Sequence, residues 1–148
     1  MENEVVLLGF WTSTYVMRVQ IALAEKGIQY HYEEEEDIFH NKSDFLLKSN
    51  PVHKKVPVLI HKGKPICESL IILQYLDDVW KHQYQLHSHD PYNRAKSRFW
   101  IDYFDKKIAD CGRRMWASKG EYQEAAKKEF IECLKLLEGE LDNNKPLF

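Results

Sequence analysis

Ser13 stands between an apolar run, Val5-Val6-Leu7-Leu8, and a segment of helical periodicity, in the sequence Phe10-Trp11-Thr12-Ser13-Thr14-Tyr15. A serine at a helix start is first of all a cap for an unpaired backbone N–H. The same place, where a strand hands over to a helix, also favours an anion, because N–H groups and the positive helix end converge there. A thiolate would be stabilised by that field and by one hydrogen bond from a hydroxyl. Serine cannot attack as a thiol itself, so the chemistry it suits is activation of a thiol carried by a ligand. Two further groups fit a ligand of that kind. Val56-Pro57 suits a cis bond that turns the Val56 backbone outward to pair with an extended peptide, although a proline also simply begins many strands. Cys67-Glu68-Ser69 opens a helix. There Ser69 and backbone N–H groups could take a carboxylate while Glu68 pairs with a neighbouring ammonium, the two groups at the amino-acid end of a γ-glutamyl residue. Lys42 and Lys55 could meet a carboxylate at the other end of such a peptide, or be ordinary surface lysines.

The elements that must position these residues can be read from periodicity. Val5–Leu8 is a strand buried on both faces. A helix follows, with Val16, Val19, Gln20 and Leu23 on or beside one face, stopped by Gly27. Residues 28–33 form a second strand, and the acidic run 33–37 is expected to stay solvated. A short helix at about 43–48 precedes the turn Asn50-Pro51. A strand at 56–60, a hairpin at Lys62-Gly63-Lys64 and a brief strand at 65–67 lead into a helix over 68–80, with Leu70, Leu73, Leu76 and Val79 or Trp80 as its stripe. The order β-α-β then β-β-α is thioredoxin-like. Residues 81–89 read as a polar linker. Asp90-Pro91 then starts a helix running to about Trp116, and a last helix spans about 121–141 with Ala126, Phe130, Leu134, Leu137 and Leu141 on one side. The expectation is an α/β thioredoxin-like domain at 1–80, a linker at 81–89 and an incomplete all-α domain at 90–148.

The bulk properties narrow the function classes. The chain has 148 residues, 44% hydrophobic and 30% charged, with a formal net charge of −2. That balance gives no electrostatic reason to expect nucleic acid or an acidic membrane as partner. The acidic start and the lack of any long apolar run give no signal peptide or membrane span, so a reduced, cytosolic setting is expected. Cys67, Cys111 and Cys133 form no C-x-x-C pair and read as small buried hydrophobes. His82, His87 and His89 lack a fixed ligand spacing, so no metal site is expected.

Taken together the motifs resemble those of plant tau-class glutathione transferases. The matching residues are Phe10-Trp11-Thr12-Ser13, Met17-Arg18, Ile21–Gly27, Asn41-Lys42-Ser43, Asn50–Leu59 and Gly63–Leu70. In the second half, Asp90-Pro91-Tyr92, Phe99-Trp100, Asp105-Lys106-Lys107 and Ala125–Phe130 continue the likeness. The resemblance implies a cytosolic homodimer that conjugates glutathione to electrophilic, xenobiotic-type compounds, with glutathione as cosubstrate and no other cofactor. It implies that Ser13 activates the thiolate and that Lys42 and Lys55 hold the glycine carboxylate. Val56 would pair with the cysteinyl backbone, and Glu68 with Ser69 would hold the γ-glutamyl end. Phe10, Tyr15, Arg113 and Trp116 would line an electrophile pocket. Thr12, Thr14, Val16 and Ala109 depart from the family's usual residues, and the chain stops about where relatives enter further helices. Glutathione binding is therefore expected to be retained and conjugation weakened. A non-catalytic binder of glutathione or apolar ligands is the alternative. A thiol oxidoreductase would need a cysteine at position 13, where Ser13 stands, and only a mixed disulfide between Cys67 and glutathione during turnover would revive it. Exposed helical faces would suit an interaction module.

Overall fold

A computed structural model of the chain describes residues 5–141. They fall in two compact units, Met1–Leu86 and His87–Phe148. The first unit holds β1 (Val5–Gly9), α1 (Thr14–Glu25), β2 (His31–Glu34), α2 (Asp44–Ser49), β3 (Val58–His61), β4 (Lys64–Cys67) and α3 (Ser69–Val79). The sheet order is β2-β1-β3-β4, with β1 parallel to β2 and antiparallel to β3, and β3 antiparallel to β4.

The apolar run of β1 explains its central place. Val5 and Leu7 join Val16, Val19, Leu23, Ile72 and Leu76 in one cluster, while Leu8 joins Leu46 and Val58 in another. Alternate side chains of one strand thus enter two separate apolar layers, as a strand covered on both faces requires. The β3–β4 hairpin turns on Lys62 and Gly63, at φ +52° and +73°. Two consecutive left-handed residues make the tight turn whose twist suits antiparallel strands.

Several expectations are corrected. The acidic run is not wholly solvated. Glu35 is 2% exposed, and its carboxylate accepts from Ser43 N and Ser43 Oγ, each at 2.6 Å. Two charge-assisted hydrogen bonds offset its desolvation, which charge repulsion alone does not foresee. On α3 the buried positions are Ser69, Ile72 and Leu76, while Val79 is 43% exposed. With Leu70-Ile71-Ile72-Leu73 apolar all round, sequence alone could not choose the face. The division between units falls after Leu86, inside the stretch 81–89 read as a linker. Lys26, at the C-terminal cap of α1 and 3% exposed, donates to the carbonyls of Trp80 and Tyr84 and pairs with Asp77 at 2.8 Å. Asp77 also accepts from Leu86 N, which ties residues 81–86 to the first unit.

The second unit contains α4 (Pro91–Tyr103), a π-helical turn at Phe104–Ile108, α5 (Ala109–Ala117) and α6 (Glu121–Leu141). Asp90 caps α4 through Asn93 N with Pro91 in the first turn, as its sequence predicts. The expected single helix to Trp116 is instead divided by the π turn. Ile108, Cys111 and Cys133 form the core of this unit, with Tyr103, Phe104, Phe130 and Leu137 packed against it. Leu134, expected inside, is 43% exposed, and Cys133 takes the inner position beside Ala126 and Phe130. The side chain of Leu141 lies outside the described residues.

Candidate functional site

Ser13 is the N-cap of α1, and its Oγ accepts from Val16 N at 3.3 Å. A hydroxyl used as an acceptor keeps its own hydrogen available to donate. Thr12, Thr14 and Val16 therefore leave the cap in place. The loop that delivers Ser13 is fixed at both ends. Ser13 N donates to Phe10 O at 2.9 Å, and Trp11 N donates to Glu34 Oε1 at 3.0 Å. The other oxygen of Glu34 accepts from Tyr32 Oη at 2.7 Å; burial and that bond push the Tyr32 hydroxyl well above the usual phenol range. Gly9, just before the loop, lets α1 approach: a Cβ there would lie 2.6 Å from Val16 Cγ1 and 2.8 Å from the Tyr32 ring.

The Val56-Pro57 bond is cis, as the sequence reading proposed, and Pro57 is buried directly before β3. Asn50, 2% exposed, builds the turn that leads to it. Its side chain donates to Lys55 O at 2.9 Å and accepts from His53 N at 3.1 Å, while its carbonyl accepts from Lys54 N at 2.9 Å. Lys42 Nζ donates to Lys54 O at 2.8 Å, so Lys42 and the Lys54-Lys55-Val56 segment lie side by side. His53 Nε2 lies 3.9 Å from Glu68 Oε1, bringing the same turn to the start of α3.

Glu68 is the N-cap of α3 at φ +71°, ψ +120°, with no side-chain cap bond. Its carboxylate is half-exposed. Ser69, 6% exposed, accepts from Arg18 Nη1 at 3.0 Å. Burial, reinforced by the Glu68 carboxylate, raises the Cys67 thiol above its ordinary value, and Cys67 Sγ lies 3.6 Å from Ser49 O. A thiol held neutral in this way is a poor nucleophile. Cys111 is likewise pushed up, to about 11, by burial and by contact with Glu129.

Within the first unit Arg18 of α1 meets Ser69, His53 lies near Glu68, Asn50 holds Lys55 O, and Lys42 reaches Lys54 O, two residues before Val56. Arg18, Asn50 and His53 make these contacts, and sequence reasoning did not single them out for it. Asn50 signalled only a turn, and Arg18 and His53 gave no spacing signal. Phe10 and Tyr15 flank Ser13 in the first unit. The Phe10 ring meets Phe39 edge-on at 6.3 Å, and the Tyr15 ring sits 5.4 Å from the Arg18 guanidinium. In the second unit Arg113 and Trp116 lie three residues apart on α5. Arg113 Nη2 pairs with Asp110 Oδ1 at 2.6 Å, and Trp116 is 91% exposed. Among the described residues no group of three or more His, Cys, Asp and Glu is arranged to hold a metal ion. No helix among them is long and apolar enough to cross a membrane.

Comparison with known proteins bears on this arrangement. The family described as "Glutathione S-transferase, N-terminal domain" matches residues 3–78. The chain is 59% identical to the probable glutathione S-transferase parC of Nicotiana tabacum, over 99% of this chain and 65% of that protein. It is 56% identical to glutathione S-transferase U19 of Arabidopsis thaliana, over 100% of this chain and 66% of that protein. The chain therefore spans just under two thirds of the length of these relatives. Among solved structures, rice GST1 in complex with glutathione superposes with a TM-score of 0.89 at 52% identity, covering 95% of this chain and 64% of that one. A tau-class glutathione S-transferase from mango gives a TM-score of 0.85 at 47% identity, over 92% and 61%. A thioredoxin-like unit of this topology, matched over residues 3–78 and alike in fold to a glutathione complex, leads to one conclusion. This chain belongs to the glutathione S-transferase family and resembles its plant tau-class members.

Proposed function

We propose that the first unit binds glutathione and that the protein transfers its thiolate to small electrophilic carbons of xenobiotic type. The observation that carries this reading is Ser13 as the cap of α1, with its hydroxyl hydrogen available, in the same unit as the Glu68-Ser69 start of α3. Lys42 and Lys55 pair with the glycine carboxylate. The Val56 backbone pairs with the cysteinyl residue in the manner of an added strand. Ser69 and the α3 N–H groups take the γ-glutamyl carboxylate, and Glu68 takes its ammonium.

The chemical step follows from that placement. A free thiol titrates near ~8.5, and the end of a helix together with a hydroxyl donor lowers it. The bound thiolate, held in a fixed position, attacks the electrophile, and the leaving group departs with the electron pair of the broken bond. Phe10 and Tyr15, on either side of Ser13 in the sequence, contribute to the electrophile site. The protein works in the cytosol in detoxification, as a homodimer. A reading as a thiol oxidoreductase is disfavoured by the neutral state that burial imposes on Cys67.

Turnover of a generic aryl halide with glutathione, native against Ser13→Ala, tests the proposal. Loss of the donor should lower kcat about a hundredfold. Glutathione affinity should change by less than about threefold, because one hydroxyl is a small share of the contacts. Equal rates in the two proteins would overturn the enzymatic reading. Binding without turnover would identify a non-catalytic glutathione carrier instead.

A further inference from the structure

The first unit holds a cavity of about 350 Å³ at the end of its sheet away from Ser13. Val5, Ile28, Val79 and Trp80 supply apolar lining, and His61 and Lys62 supply polar groups. Strand register separates this cavity from the residues around Ser13 and Glu68. Leu8, Val58 and Cys67 pair across the sheet at the end that leads to those residues, whereas Val5, His61 and Lys64 pair at the other. Val5 and Leu8 lie on the order of 10 Å apart along β1. The volume falls at the small end of the range for small-molecule sites, roughly 300–1,000 Å³.

His61 gives the cavity a directed donor. The residue is 6% exposed, and its Nδ1 lies 2.8 Å from the Tyr75 hydroxyl. Among the described residues that hydroxyl meets no other acceptor, so its hydrogen is assigned to Nδ1. Burial, then the charge of Lys62, keep the ring neutral, and a neutral ring that accepts at Nδ1 carries its hydrogen on Nε2. Nε2 bonds to none of the described residues and is not sealed from solvent. The Trp80 ring stands 4.8 Å from the imidazole and sets an apolar surface beside the donor. Lys62, at φ +52° in the turn after β3, is the one charged residue among the described lining, and no carboxylate offsets it there. Lys26, next to Gly27 of the lining, is already committed to Asp77 and to the carbonyls of Trp80 and Tyr84.

We propose that this cavity is a second ligand site, separate from the peptide site, for planar aromatic carboxylates. The ring lies against Trp80 and the apolar lining, and the carboxylate accepts from His61 Nε2 and pairs with Lys62. A flat acid uses both halves of the cavity. A neutral ring of the same shape leaves the cation without a partner, and a charged ligand without a ring leaves the apolar lining uncovered.

Calorimetry on the full chain with 2-naphthoate tests this, with and without saturating S-hexylglutathione to occupy the peptide and electrophile sites. Naphthoate should bind with a Kd of about 0.1 mM, changed by less than about twofold by S-hexylglutathione. 2-Naphthamide, which keeps the ring and lacks the charge, should bind about fivefold more weakly or worse. Lys62→Asn, with a residue that tolerates the left-handed backbone, should weaken naphthoate about fivefold and naphthamide by less than about twofold. Val79→Trp, at a position 43% exposed, should fill the cavity and remove binding. Should that variant fail to fold, Overhauser contacts from naphthoate to the methyl groups of Val5, Ile28 and Val79 in the native chain locate the ligand. Contacts elsewhere would overturn the proposal, as would displacement of naphthoate by S-hexylglutathione. So would absence of binding at about 1 mM, equal affinity for acid and amide, or native affinity in Lys62→Asn.

Discussion

Glu68 occupies a backbone conformation, φ +71° and ψ +120°, that residues with a side chain rarely adopt, and it does so with no cap bond in return. Such an outlier costs on the order of 1–3 kcal/mol and persists where surrounding structure or function demands it. Its carboxylate is half-exposed, 3.9 Å from His53 Nε2. Glu68→Gly should therefore separate stability from binding. Relief of strain, less about 1 kcal/mol for the added freedom of the unfolded chain, should leave the variant about 1 kcal/mol more stable by urea unfolding. Glutathione affinity should fall at least about tenfold with the carboxylate gone. A destabilised variant would show that the side chain and not the backbone sets the balance. Next to it, Cys67 illustrates the limit of residue type as a signal. A cysteine beside a ligand site invites a redox reading, but burial and the neighbouring carboxylate hold it as a thiol.

At the level of elements, the joint between α1, α3 and the following segment depends on one cation. Lys26 Nζ is wholly buried and serves two carbonyls and the Asp77 carboxylate, which in turn holds Leu86 N. Lysine near the C-terminal end of a helix commonly meets that helix's last carbonyls; here the Lys26 ammonium instead meets the carbonyl of Trp80, the C-cap of α3, and that of Tyr84 beyond it. Lys26→Met removes the cation that pairs with a mostly buried carboxylate, so a loss of about 3–5 kcal/mol is expected. Chemical denaturation followed by far-UV circular dichroism measures it, and a loss under about 1 kcal/mol would mean that water replaces the pair. Sequence periodicity identified α1, including its Ser13 start and Gly27 stop, because the polar and apolar faces of α1 differ. On α3 the apolar residues surround the helix, and the inner face was set only by what β1 and α1 presented to it.

For the whole molecule, the first unit carries a titrating group inside its fold. His61 is 6% exposed, 2.8 Å from the Tyr75 hydroxyl, with its ring 4.8 Å from that of Trp80. Burial, then the charge of Lys62, lower its pKa below the ordinary 6.5. The folded protein keeps His61 neutral while the unfolded chain takes up a proton as the pH falls past that value. The unfolded state therefore binds more protons, and stability drops as the pH is lowered from about 6.5 toward the folded value. Thermal unfolding between pH 7.5 and 5 should show Tm falling with acid, and His61→Phe should flatten that slope. An unchanged slope in the variant would assign the acid sensitivity to other groups.

The sequence by itself determined the order of elements in the first unit, the capped starts at Ser13 and Asp90, the Lys62-Gly63 turn and the types of residue offered to a ligand. These are local matters, decided within a few residues by N–H groups that need acceptors and by φ angles that need particular residues. Tertiary structure alone decided that Glu35 and Lys26 are buried, that Arg18 meets Ser69 and that Asn50 organises the turn before Val56. Partners far apart in sequence satisfy Arg18 and Lys26, across 51 residues for Arg18 and Ser69 and across 54 and 58 for Lys26 with Trp80 and Tyr84. No periodicity records such a pairing, because the desolvation of a charge is balanced only once both partners have been brought together.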